Sequence, residues 1–338
     1  METASPQAVQ AASKHAKVTR NSSKNGIEIS FGNECNFKCG YCHPKASSSY
    51  YKEIEQFGPY TTVKNHRNDI NWFKIYHKEE ENPYVDAWWA WWPELYPNLH
   101  TFRITGGEPL MSGETWKLLD WFKNNKGKSH TRLAINSNLG TDVDIDRLLS
   151  AVEGVTVDIY TSNESMNLQA EYIRDGLVFD DWANNVERLL DSGQLRGLHI
   201  MNTVNALCLE SLDQFLECMV NWKIEYGRDA VNFTLNILRF PSFQSPLVLP
   251  AELRTKFRDR LADFMVRHKG YSYLHEHEIN HLQRLIDYLD VVKTPHREAF
   301  ELPRLRADFK NFYQQYDQRR GKDFKYTFPQ LAEWYDTL

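Results

Sequence analysis

The 338-residue chain has no run of roughly 18 apolar residues, the length a membrane-spanning helix requires. Its first 25 residues lack the apolar stretch of a secretory signal. Together these absences predict a cytoplasmic protein with no membrane partner. Neither sign of charge is in strong excess: 40 Lys+Arg against 45 Asp+Glu leave a net −5, with a pI near 6.2. That balance gives no basic surface for nucleic acid. Cysteine is scarce and odd in number, five in all. Three of them crowd between positions 35 and 42, which fits metal ligation in a reducing compartment better than a disulfide framework.

Hydrophobic residues make up 41% of the chain and charged ones 25%, enough for a packed core. A polar, flexible tail over 1–25 precedes six strand-like runs at 27–31, 99–105, 132–136, 155–161, 198–204 and 231–238. Helical patterns separate them, including 66–92 with its cluster of Trp88, Trp89, Trp91 and Trp92. Strands alternating with helices predict a parallel sheet, curled into a partial (β/α)6 TIM-type barrel over 26–248. Functional groups then belong at the C-terminal ends of the strands. Beyond Pro250 the strand rhythm stops, and about three helices form a C-terminal extension over 249–338.

The loop after the first strand reads Phe31-Gly32-Asn33-Glu34-Cys35-Asn36-Phe37-Lys38-Cys39-Gly40-Tyr41-Cys42. Thiolates spaced by three and then two residues suit three irons of a cubane, with the fourth iron left open for chemistry. A zinc site made of the same cysteines and His43 is the alternative.

Cys-x3-Cys-x2-Cys after a first strand, with an aromatic at Tyr41, resembles the signature of the radical S-adenosylmethionine (SAM) superfamily. The second strand ends in Gly106-Gly107-Glu108-Pro109, similar to that family's segment for the methionine amino group of SAM. The resemblance implies one [4Fe–4S] cluster on Cys35, Cys39 and Cys42, and SAM as the second cofactor. It further implies SAM contacts from Tyr41 and Asn138, from Ser162 and Arg174 at the ribose and carboxylate, from Asn205, and from Leu238 at adenine. Local alternatives stand beside these: a surface ion pair of Arg174 with Glu171 or Asp175, and turn roles for Asn138 and Asn205. The implied chemistry is reductive cleavage of SAM to a 5′-deoxyadenosyl radical that abstracts hydrogen from a substrate. A flavodoxin- or ferredoxin-type donor would supply the electron.

The core is also similar to the SPASM/twitch group of that superfamily, and so is the ending from Arg319-Arg320-Gly321 to Trp334. No cysteine follows Cys218, so an auxiliary cluster lacks ligands; Cys208 and Cys218 are expected to be buried thiols, and the extension a twitch-like remnant. That kinship favours a peptide or protein side chain as substrate. The runner-up is a nucleotide or other small metabolite stacked on the Trp cluster, and a non-catalytic metal-binding module is the reading from another class. His277-Glu278-Ile279-Asn280-His281 matches the zinc-protease pattern, with Glu301 a conceivable third ligand. The apolar set Leu274, Leu282, Leu285, Ile286 and Leu289 instead predicts a packed helix with its His and Glu residues largely solvated.

Overall fold

Side chains that point alternately to the two faces of each strand set the architecture. In the computed structural model, which describes residues 26–63, 70, 82–125, 131–270, 272–290 and 296–338, the strands are β1 (Gly26–Ser30), β2 (Thr101–Thr105), β3 (Arg132–Ser137), β4 (Val157–Ser162), β5 (Gly197–Val204) and β6 (Val231–Ile237). Every neighbouring pair is parallel and the spatial order follows the chain order, so β1 and β6 are the two edges. Helices cover one face: α1 (Ser48–Phe57), α2 (Pro83–Leu95), α3 (Gly113–Asn124), α4 (Ile145–Val152), α5 (Asn167–Ile173), α6 (Phe179–Asp191) and α7 (Leu212–Tyr226). Phe102, Ile104, Ile135, Ile159, Ile200 and Phe233 are buried beneath them. The residues between, including Arg103, Asn136, Tyr160, His199 and Thr234, face the other way and line a polar, half-buried lumen. This is the expected six-stranded partial barrel.

The C-terminal region is helical as expected, with three long helices and two short ones: α8 (Ala251–Lys269), α9 (Glu276–Leu289), α10 (His296–Arg320), α11 (Phe324–Thr327) and α12 (Pro329–Asp336). The expected tail over 1–25, and most of the expected helix before residue 82, lie outside the described residues. Helix α2 begins where Asn82 caps the Tyr84 amide and Pro83 occupies the first turn. Trp88 and Trp92 are buried around Phe102, at centroid distances of 5.6 and 5.2 Å. They pack on the helix-covered side of β2, away from the lumen.

The His-Glu-x-x-His segment packs as expected, burying Leu274, Leu282, Leu285, Ile286 and Leu289 and leaving Glu276 and His277 exposed, but Glu278 and His281 take a further task. Helix α9 lies along the free edge of β6, and its residues take the place of a seventh strand. The Glu278 carboxylate accepts the Phe233 amide at 3.0 Å, His281 Nδ1 accepts the Leu235 amide at 2.9 Å, and the Arg284 guanidinium donates to the Leu235 carbonyl. Glu278 is fully buried rather than solvated, and so is its partner Lys223, 2.9 Å away. Among the described residues no three His, Cys, Asp or Glu side chains form a site for a single metal ion. Glu278→Ala would strand a buried ammonium and a strand amide, so it should cost about 3–5 kcal/mol of stability. The double variant Lys223→Met/Glu278→Leu should recover much of that loss. Urea denaturation midpoints decide it; a single-variant loss below about 1 kcal/mol would contradict the edge-capping role.

Candidate active site

The cysteine loop is clamped from three directions. The Lys38 amide donates to the Asp175 carbonyl at 2.6 Å and the Gly40 amide to the Ile173 carbonyl at 2.9 Å, tying the loop to the region after α5. From the C-terminal side, the Arg320 guanidinium donates to the Lys38 carbonyl and Gln244 Nε2 to the Gly40 carbonyl at 3.0 Å. Arg320 is itself held by Glu53 and stacked on Tyr316. Phe37 fills a notch that only glycines leave open: a Cβ at Gly140 or Gly176 would meet its ring at 2.8 Å. Ser47, Ser48 and Ser49 secure the far end, Ser47 bonding the Phe37 carbonyl at 2.6 Å and Ser49 the Cys35 carbonyl at 2.8 Å.

Within this loop Cys35, Cys39 and Cys42 are reduced. Burial pushes the Cys35 thiol up to about 11, with Cys42 and Glu108 adding to the effect. It pushes Cys39 and Cys42 up as well, against the opposing field of Arg174. The thiols lie close enough to raise one another electrostatically. Three thiolates on one loop suit three irons of a cubane with the fourth left open, whereas a closed zinc site needs a fourth protein ligand. Loading it would displace the thiol protons.

The Gly106–Pro109 turn packs directly on this loop. The Gly107 amide bonds the Gly32 carbonyl at 3.3 Å and the Glu108 amide bonds the Glu34 carbonyl at 2.5 Å. A Cβ on Gly107 would lie 2.2 Å from the Glu34 carbonyl oxygen, and Gly106 sits at φ +129°. Glycine at both places is therefore a steric demand of this close approach. Glu108 is buried and joins the ends of β2 and β3, accepting from the Leu110 amide at 3.0 Å, Ser137 Oγ at 2.9 Å and the Asn138 amide at 2.5 Å. Burial raises its pKa to about 7 against those hydrogen bonds.

Arg174 does not take the surface-pair alternative. It is 5% exposed, past the end of α5, where its side chain leaves the helix face and turns inward. Its Nε and Nη2 meet Glu164 Oε2 at 3.1 and 2.8 Å, and Nη1 lies 3.9 Å from Cys39 Sγ. The surface pair with Glu171 or Asp175 does not form: Glu171 accepts the Phe179 amide, while Asp175 pairs with Lys38 and Lys322. Tyr41 completes the group, its hydroxyl donating to Glu164 Oε1 at 3.0 Å. Glu164, wholly buried in the loop after β4, had no sequence signal beyond an acid following a strand.

The remaining predicted residues divide. Asn138 binds Asn36 through Nδ2 at 2.8 Å and accepts the Gly140 amide at 2.9 Å, a turn that also braces the cysteine loop. Asn205 is a turn residue, accepting the Leu207 and Cys208 amides at 2.9 and 3.1 Å. Ser162 is half-buried at the end of β4, beside the wholly buried Asn163, whose Nδ2 has no partner among the described residues. Leu238 extends the β5–β6 ladder through its amide to the Val204 carbonyl at 2.8 Å. A cavity of about 80 Å³ opens between the cysteine loop, the loop after β6 and α10, with Tyr41, Cys42, Tyr50, Phe243 and Phe312 in its walls. Cys208 is fully buried and Cys218 half-buried.

The sequence model of the radical SAM superfamily matches residues 29–219, more than half of the chain. No curated protein matches the sequence. Among solved structures, a histidine-tagged anSMEcpe with bound AdoMet is 16% identical over 72% of this chain and 61% of that one, with a TM-score of 0.43. Native anSMEcpe with bound AdoMet is 15% identical over 93% of this chain and 99% of that one (TM-score 0.44). Streptococcus suis SuiB bound to S-adenosylmethionine is 15% identical over 79% of this chain and 55% of its own (TM-score 0.45). This chain thus spans only about three fifths of the first of these. With its cysteine loop and Gly106–Pro109 turn inside the matched segment, the chain belongs to the radical SAM superfamily.

Proposed function

We propose that residues 26–248 form a catalytic unit holding one [4Fe–4S] cluster on Cys35, Cys39 and Cys42, and that 249–338 is an extension that braces it. The observation that carries this reading is the clamped loop with three free thiols, packed against the Gly106–Pro109 turn. When bound and reduced, the cluster and SAM supply a 5′-deoxyadenosyl radical for hydrogen abstraction from a substrate. The chain's own residues orient and exclude. Gly106 and Gly107 keep backbone exposed where the methionine part of SAM is assigned, and Glu108 fixes that turn. The cavity beside Tyr41 and Cys42 offers apolar walls to the nucleoside, and Arg174 and Ser162 complete the assigned cradle. A peptide or protein side chain is the substrate we favour, with a flavodoxin- or ferredoxin-type reductant. The nucleotide alternative rests on the Trp cluster, of which Trp88 and Trp92 pack on Phe102 away from the lumen.

Anaerobically reconstituted and reduced protein should convert SAM to 5′-deoxyadenosine and methionine, slowly even without substrate. Gly107→Ala should suppress this by forcing the turn off the Glu34 carbonyl. Iron-loaded wild-type protein that yields no 5′-deoxyadenosine would leave only a metal-binding module.

A further inference from the structure

Three guanidinium groups, Arg103, Arg132 and Arg196, belong to the polar side of the sheet, against two carboxylates, Asp158 and Glu28. Two of the three are committed. Arg132 and Arg196 both bind Asp158, which also meets His199 Nε2 at 3.0 Å. Asp158 is held well below the usual carboxylate range by these hydrogen bonds, despite its burial. Arg103 is different. Its closest carboxylate is Glu28 at 4.0 Å, beyond hydrogen-bond distance, and the Glu28 side chain is 62% exposed on the edge strand. Among the described residues no atom accepts a hydrogen bond from Arg103.

Yet this guanidinium is not loosely placed. Its central carbon lies 4.2 Å from the centroid of the Tyr160 ring. Tyr160 in turn stacks on His199 at 4.4 Å and 18°, and His199 is anchored to Asp158. The position on β3 in register between Arg103 and Asp158 is Ala134, small enough to let the side chain reach across. A stacked guanidinium keeps its in-plane N–H groups available, and their fork matches two oxygens of a carboxylate or phosphate. Nearby, Asn136 Oδ1 is buried without a partner among the described residues, so this lumen holds other unmet polar capacity.

We propose that Arg103, stacked on Tyr160, is a binding site in the barrel lumen for an oxyanion, a carboxylate or a phosphate, carried by the substrate. The role as substrate anchor rests on the proposed function; the oxyanion site itself does not. Arg103 lies three residues before Gly106 along β2, so the anchored end of the substrate sits deeper in the lumen than the SAM turn.

The full-length, reconstituted protein is treated with phenylglyoxal, and labelled arginines are mapped by mass spectrometry with inorganic phosphate, with succinate, or with neither. Arg103 should label several-fold more slowly in at least one anion, while half-buried Arg188 on the helix layer, paired with Asp146, is unaffected. Protection by phosphate alone identifies a phosphate ester as the recognised group; protection by succinate alone identifies a carboxylate. In parallel, the melting-temperature rise produced by the protecting anion should vanish in Arg103→Gln, verified as folded by circular dichroism, and persist in part in Arg103→Lys. Unchanged Arg103 labelling with both anions, or an equal rise in wild type and folded Arg103→Gln, overturns the site. 5′-Deoxyadenosine is assayed in the same wild-type sample. If it is absent while Arg103 is protected, the proposed enzyme fails and the oxyanion site stands; the converse result removes only the site.

Discussion

Cys39→Ala should leave anaerobic reconstitution with almost no iron, whereas the wild type should load about four irons and four sulfides per chain. Cys39 is the innermost of the three thiols, 8% exposed, and the Arg174 guanidinium is 3.9 Å from its sulfur. Loss of one of three ligands leaves two thiolates in a loop pinned at Lys38 and Gly40, which cannot shift to recruit a substitute. Cys208→Ala should load normally, because Cys208 is a buried thiol whose sulfur bonds the Asn205 carbonyl at 3.3 Å. Iron, sulfide and the visible absorption band report the result. Full iron in Cys39→Ala would break the ligand assignment, and stoichiometric zinc in the wild type would replace the cluster altogether. About eight irons in the wild type would reveal a second cluster.

How much of this was visible in the sequence depends on how local each cause is. The six strands lie within one or two residues of the apolar runs that mark them, since a short apolar run between helical patterns is a local property of the chain. Their ends shifted because the ladder stops where a neighbour stops, as at β2, which begins at Thr101 beside Gly26 and Arg132. Gly107 stood out as motif, and its physical reason, the Glu34 carbonyl, became apparent only in the fold. What remained hidden joins distant parts of the chain. Arg320 reaches Lys38 across 282 residues, and Tyr41 reaches Glu164 across 123. Glu278 misled in another way: its helix and apolar stripe were legible, but whether a carboxylate on that helix meets water, zinc or the edge of a strand depends on which strand lies beneath it.

Arg174→Ala should destabilise the protein by about 3–5 kcal/mol, because it abandons a wholly buried carboxylate at Glu164. Burial opposes both charges: Glu164 outweighs it and holds Arg174 above its ordinary value, while the Glu164 carboxyl is itself pushed up by burial against the hydrogen bonds from Arg174 and Tyr41. Arg174→Lys should recover only part of the loss, since Nε and Nη2 both reach the same carboxylate oxygen and a lysine offers one compact head. Arg174→Met/Glu164→Leu removes both charges and should recover more stability than either single variant, as a double-mutant cycle would show. Iron content should fall in Arg174→Ala too, because Tyr41, bonded to Glu164, sits between Cys39 and Cys42 in the same loop. A residue serving only the carboxylate of SAM predicts the opposite pattern: unchanged unfolding midpoint, unchanged iron, and a SAM dissociation constant raised about tenfold, equivalent to ~1.4 kcal/mol. Denaturant melts and iron analysis separate the two before any turnover is measured, and a stability loss under about 1 kcal/mol with full iron would return Arg174 to the ligand alone.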